Sequence, residues 1–248
     1  MLAGTIRSRP LTFLFGLAAV SLLGLLLLPP IPQPQSYHHF SDERTLLGVP
    51  NFWNVVSNLP FLLVGAIGLW RTCGNRSASV IFLGVFFTGF GSSYYHWHPD
   101  DASLFWDRLP MAIGFMAILA NLIEERIDAR VGVALLWPLV ALGVASLLLW
   151  RSTDDLRLYG WVQFFPCVVL PLVFWLFPPK YTGTGYWIAA AGLYALAKLL
   201  EFADAAIYPV EPILSGHTLK HLAAAGACYA IVRAFETRRT LISPARTH

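Results

Sequence analysis

Charge is what this sequence lacks. Charged side chains make up 12% of its 248 residues and apolar ones 56%, whereas soluble domains carry roughly 25% charge. So few charges could not cover a water-soluble sphere of this size, which excludes a soluble globular domain. Disorder is excluded by the reverse criterion, because disordered chains are poor in apolar residues. A net charge of only +3, scattered along the chain, excludes a nucleic-acid-binding face. Cysteine is scarce too. Cys73, Cys167 and Cys228 form no Cys-x-x-Cys pair, which excludes a disulfide framework or a zinc ribbon; all three read as small apolar packing residues. What is present, nine Trp and seventeen Phe among long apolar runs, describes a membrane protein with aromatic side chains at the lipid interfaces.

The gaps between charges mark the spans. A bilayer core about 30 Å thick needs roughly 20 apolar residues per helix. Uncharged stretches run over 10–41, 45–70, 77–99, 109–123, 131–150 and 158–179, and two apolar segments with internal charges follow at 185–208 and 215–235. Ending the first at Pro29-Pro30 gives eight candidate helices joined by short connections. The expected fold is an all-α polytopic transmembrane bundle without repeats or a separate soluble domain.

The positive-inside rule orients it. With the N-terminus inside, eleven of the seventeen Lys and Arg are cytoplasmic: Arg7, Arg9, Arg71, Arg76, Arg126, Arg130, Lys180, Arg233, Arg238, Arg239 and Arg246. Four are outside, Arg44, Arg108, Arg151 and Arg157, while Lys198 and Lys220 lie within spans. Both termini are therefore expected in the cytoplasm. Arg7 and Arg9 before an apolar run also resemble the start of a secretory signal. The run 11–28 is long for one and no Ala-x-Ala site follows, which favours a retained anchor. Cleavage would leave seven spans and the same outer face.

Polar residues inside a membrane are functional hypotheses by default, and here they gather at the outer end. Gly89-Phe90-Gly91-Ser92-Ser93-Tyr94-Tyr95-His96 closes the third span, Asp107 opens the fourth, and Ser215-Gly216-His217-Thr218-Leu219-Lys220-His221 opens the eighth. His217 and His221, four residues apart, share one helix face. Such a pair can bind one metal, and a third ligand from another helix would leave an open, catalytic position. His96 is the candidate, with His98 as competitor. The blander reading is two histidines hydrogen-bonded to neighbouring helices. Zinc suits imidazole ligands, with iron and nickel as alternatives. Ser92, one turn before His96, either serves the site or bonds back to a helix carbonyl. Asp107 either serves it, caps the fourth span or pairs with Arg108. Asn54, Ser57 and Asn58 read as interhelical hydrogen-bonding groups. Lys198, Glu201 and Asp204, with Lys220, read as a buried ion-pair network that orders the helices around the site.

The combination of Gly89, Gly91, Ser92 and His96, then Asp107 followed by Pro110-Met111, then His217 and His221, resembles the alkaline ceramidases. Phe52-Trp53-Asn54-Val55-Val56-Ser57-Asn58 is similar to that family's first-helix signature. The wider superfamily includes adiponectin-receptor-like and haemolysin-III-like membrane hydrolases. The resemblance implies a seven-helix core over 51–235 with an extra N-terminal helix over 1–30 and a cytoplasmic tail over 236–248. It implies zinc on His96, His217 and His221, catalytic roles for Asp107 and Ser92, and hydrolysis of a ceramide amide to a sphingoid base and a fatty acid. Two departures stand out. The eukaryotic members carry a Glu before Phe-Trp-Asn in a calcium site, where this chain has Asn51, with Asp42 and Glu43 upstream, and this counts against calcium. The family's last motif carries an Asp and a Trp where Ser215 and Lys220 stand here, which loosens the tie to ceramide as substrate.

An intramembrane zinc amidase is thus the expected function. Asp107 would accept the proton of water and pass it to the leaving amine, and Ser92 would donate to the developing oxyanion. The same site acting on another lipid amide or ester is the alternative. A receptor-like protein with a closed four-ligand site, completed by His98, His38 or a carboxylate, is a different class, and a small transporter using the Lys198–Glu201–Asp204 row is a third. Short loops and the absence of sorting signals suit a bacterial inner membrane.

Overall fold

The computed structural model describes residues 8–210 and 214–241. Arg7, Arg246 and the tail beyond 241 lie outside the described residues. Within them the regular structure is helical: α1 (Pro10–Leu26), α2 (Phe52–Val56), α3 (Leu59–Arg71), α4 (Arg76–Trp97), α5 (Asp101–Arg126), α6 (Ala129–Thr153), α7 (Arg157–Leu176), α8 (Thr184–Phe202), α9 (Asp204–Ile207) and α10 (Gly216–Glu236). The fold is an all-α bundle. Five helical units are long and apolar enough to cross a bilayer: 52–71, 76–97, 101–126, 129–153 and 157–176. The remaining three spans read from the charge pattern correspond to α1, α8 and α10. The first is an apolar helix of 17 residues. The other two are long enough, but Lys198 and Glu201 in α8, and His217, Lys220 and His221 in α10, lower their mean hydropathy.

Two local details differ from the sequence expectation. The second span is not one continuous helix, because it breaks at Ser57–Asn58 between α2 and α3. Pro60 sits in the first turn of α3, where its missing N–H needs no partner. The fourth span starts earlier than its uncharged stretch. Asp100 accepts a hydrogen bond from the Ser103 amide at 2.6 Å while the Ser103 hydroxyl receives one from the Asp100 amide, a reciprocal cap that begins α5 at Asp101. Asp107 therefore lies within α5 and neither opens nor caps it.

Glycines set the closest helix contacts. A Cβ at Gly91 would overlap the carbonyl oxygen of Trp106. That carbonyl is the one freed by Pro110, which has no N–H to offer four residues later. A Cβ at Gly84 would come 2.8 Å from the Pro110 carbonyl oxygen. Gly91 and Pro110 thus form a matched pair that seats α4 directly on α5.

The connection between α1 and α2 lies across the end of the bundle where α4 finishes and α10 begins. The Ile31 carbonyl accepts from Leu156 N at 2.8 Å, and the Gln33 amide donates to Asp154 at 3.0 Å. Tyr37 then donates to Glu201 at 3.2 Å, and Ser41 N donates to Asp204 at 3.2 Å. Asp42 is buried and gripped by the Arg44 guanidinium at 2.7 and 2.8 Å. At the opposite end, Arg71–Glu236 at 3.1 Å and Arg238–Glu125 at 3.0 Å tie α3, α5 and the α10 terminus together.

Candidate metal centre

Helices α4 and α10 both pack on α2 and α3, which brings the end of α4 to the start of α10, and three histidines meet there. His96, His217 and His221 are 1%, 6% and 5% exposed. The Nε2 of His96 lies 3.2 Å from that of His221 and 3.3 Å from that of His217. The ligand atoms of all three lie within 4.8 Å of one another. Nitrogen ligands about 2.0–2.1 Å from a tetrahedral metal are about 3.3–3.4 Å apart, so the two measured separations fit one shared ion. Hydrogen bonding alone explains the cluster poorly, since one ring nitrogen of His96 faces two others and a single N–H satisfies only one of them.

The surroundings favour the same geometry. The Ser57 hydroxyl lies 3.1 Å from the Asn54 carbonyl and 2.8 Å from His221 Nδ1. With its one proton on the carbonyl it accepts from Nδ1–H, an arrangement that leaves the Nε2 lone pair of His221 facing the cluster. Ser215 caps α10 by accepting from Thr218 N at 3.1 Å. Asn54 Oδ1 takes the Thr218 hydroxyl at 2.8 Å, fixing α10 against α2. Phe40 from the connection between α1 and α2 packs edge-on against His96 and His217, with centroids 4.7 and 4.8 Å away. Three imidazoles without carboxylate or thiolate suit zinc, copper, iron or nickel, whereas calcium and magnesium take oxygen donors.

The competitors for a ligand position are elsewhere. His98 is exposed beyond the end of α4. His38 is bound to the Tyr95 hydroxyl and to Asp101, both at 3.1 Å. No fourth His, Cys, Asp or Glu joins the cluster among the described residues, so a closed four-ligand shell is not formed by them.

Beside the histidines lies a cavity of about 480 Å³, within the range of small-molecule sites. At the histidine end its wall is polar, with Ser92, Asp107, Arg108, Tyr159, Lys220 and His221. Its inner reach is lined by apolar side chains such as Ile81, Ile118, Leu170 and Ile231. From His221 to Ile231 the wall extends about 15 Å along α10. The Ser92 hydroxyl makes no bond back into its own helix among the described residues; the side chain neighbours the Asp107 carboxylate on the cavity wall, brought close by the Gly91–Trp106 contact. Asp107 does not pair with Arg108, for no carboxylate lies within ion-pair distance of that guanidinium among the described residues.

The expected ion-pair network forms around Glu201, which holds Lys198 at 2.7 Å and Lys220 at 2.6 Å. Asp204 is not part of it. Its carboxylate accepts from the backbone amides of His217 at 2.7 Å and Ser41 at 3.2 Å, thereby fixing the start of α10. Tyr37, Phe40 and Tyr159 were not singled out by the sequence. Tyr37 and Phe40 sit in an uncharged, Pro-rich connection that reads as an ordinary loop, and only an aromatic pair in such a loop hints at packing. The family described as Ceramidase matches residues 47–176, which include Ser92, His96 and Asp107 but not His217 or His221. No curated protein matches the chain. That match covers more than half of the 248 residues, and the chain belongs to the ceramidase family.

Proposed function

We propose that the chain is a zinc-dependent membrane amidase that cleaves the amide of ceramide, or of a related lipid, to an amine and a fatty acid. The observation that carries this reading is the convergence of three buried imidazoles beside a Ser92–Asp107 pair on one long, amphipathic cavity. His96, His217 and His221 would hold the metal. When bound, zinc supplies Lewis acidity that makes water a usable nucleophile near neutral pH and polarises a carbonyl. Asp107 takes the proton of the attacking water and delivers it to the departing nitrogen. Ser92 donates its hydroxyl proton to the carbonyl oxygen in a hydrogen bond as that atom gains charge. The apolar depth of the cavity holds an acyl chain, and its polar wall faces the amide and headgroup. Ser215 and Lys220, standing where relatives are expected to carry Asp and Trp, favour a second reading in which the same site cleaves a different lipid amide or ester.

Release of free amine from a panel of ceramides, other N-acyl lipids and lipid esters, by purified protein in detergent, tests this. Cleavage of ceramide is expected, with Asp107→Asn slowing it about 100-fold or more. An Asp107→Asn enzyme at the full rate would sink the mechanism, and cleavage of esters alone would sink the amidase.

The seven-helix core over 51–235, the extra helix over 1–30 and the tail over 236–248 complete the reading, with both termini cytoplasmic and the site near the outer face of a bacterial inner membrane. Exposed Cys73, after α3, then faces the cytoplasm. A membrane-impermeant maleimide should label it in inverted vesicles and spare it in right-side-out ones; the opposite pattern would invert the topology.

A further inference from the structure

Arg108 is counted among outer rim charges in the sequence, yet it is only 7% exposed. Its guanidinium carbon lies 4.8 Å from the Trp150 ring centroid, 4.9 Å from that of Tyr159 and 5.4 Å from that of Tyr37. Its Nη1 is fully buried and has no hydrogen-bond partner. Three aromatic faces partly offset the desolvation of a cation, but they do not satisfy N–H donors, and arginine cannot shed its charge. A buried unpaired charge is costly in a protein interior, and more so within a membrane.

Both lysines on the cavity wall already have a carboxylate partner. The charged side chains lining it are Asp107, Arg108, Lys198, Glu201 and Lys220. Glu201 is shared by the two lysines, and Asp107 makes no ion pair among the described residues. With neutral histidines the lining carries one cation in excess, and among its cations Arg108 is the one with no carboxylate at ion-pair distance, Asp107 acting on it only through space. It adjoins Asp107 in sequence and opens on the same cavity.

We propose that Arg108 recognises an anionic group, a carboxylate or a phosphate, on the lipid bound in this cavity. A guanidinium offers such groups two parallel donors, which an ammonium does not. The anion has two possible sources, an acidic headgroup on the substrate or the carboxylate of the fatty acid released. The proposal rests on the amidase reading for its choice of ligands, but its test does not require turnover.

Equilibrium binding to purified protein in neutral detergent separates the cases. The probes are two matched pairs, N-palmitoylglycine with N-palmitoylglycinamide and ceramide 1-phosphate with ceramide, together with palmitate. Wild type should bind at least one acidic member about tenfold or more tightly than its neutral partner. Arg108→Gln should abolish that ratio and Arg108→Lys should keep part of it. If only palmitate binding falls about tenfold in Arg108→Gln, the anion is the released carboxylate and the recognition role stands. Equal binding of acidic and neutral partners by wild type, with palmitate indifferent to Arg108→Gln, overturns the proposal; an equal affinity for every probe in wild type overturns it even if no variant folds. Failure of all four amide probes to be hydrolysed would refute the amidase instead, leaving the binding result to stand by itself.

Discussion

Ser57 determines which nitrogen His221 presents to the cluster, through a 2.8 Å contact with Nδ1. Losing such a ring-orienting partner costs about 10–100-fold in metal affinity or activity. Ser57→Ala is therefore expected to weaken zinc retention by that factor against a graded chelator, and Ser57→Thr to preserve it; an unchanged affinity in Ser57→Ala would mean that His221 is oriented by packing alone. At this scale the sequence is legible where chemistry follows a helical period. His217 and His221 share a face because they are four residues apart, and Ser92 and His96 for the same reason. It is illegible where partners come from distant segments. Nothing local to Arg108 announces that Tyr37, Trp150 and Tyr159 will enclose it, so it reads as a rim charge. Asp107 reads as the opening of the fourth span because it and Arg108 bound the uncharged run 109–123, whereas the helix begins earlier, at Asp101 after its cap Asp100.

Among the helices, α1 is held to the rest by few polar contacts, and one clamp is prominent. The Arg157 guanidinium grips Asp155 at 2.7–3.1 Å and donates to the carbonyls of Leu26 and Leu28, while Asp155 also accepts from Ile31 N at 3.3 Å. These bonds, led by those from the Arg157 side chain, lower the Asp155 carboxyl from 3.8 to about 2. A depressed carboxylate stabilises the fold fully above its unfolded value and loses that contribution as pH falls through the folded one. The clamp is thus intact above about pH 4 and released on approach to pH 2. Proteolytic cleavage within the 27–34 segment should accelerate over that window in wild type, and Asp155→Asn should show fast cleavage already at neutral pH. Equal cleavage rates for the two proteins would assign the attachment of α1 to its apolar contacts and the Trp161–Ser21 hydrogen bond at 3.0 Å. Element boundaries were legible from charge for α4, α6 and α7, whose ends are marked by Arg, Asp and Lys. The break at Ser57–Asn58 was not, since apolar composition continues through it and the interruption arises from tertiary contacts of Asn54 and Ser57 with α10.

For the whole molecule, scarcity of charge made the fold class legible, and depth made the site legible. The few polar residues that could not be assigned to a rim converge at one end of the bundle. What composition could not convey is that the connection over 29–50 folds back across that end and contributes Tyr37 and Phe40. Its order derives from backbone groups pairing with Asp154, Asp155 and Asp204, a pattern without periodicity. The central claim is that His96, His217 and His221 together hold one catalytic metal. Elemental analysis of the purified protein, alongside His96→Gln, His217→Gln and His221→Gln, tests it most directly. One zinc per chain is expected in the wild type, with loss of both zinc and lipid-amide cleavage in each variant that remains folded. Zinc retained at full stoichiometry in His217→Gln, or amide cleavage by a folded wild-type protein that carries no metal, would contradict the account.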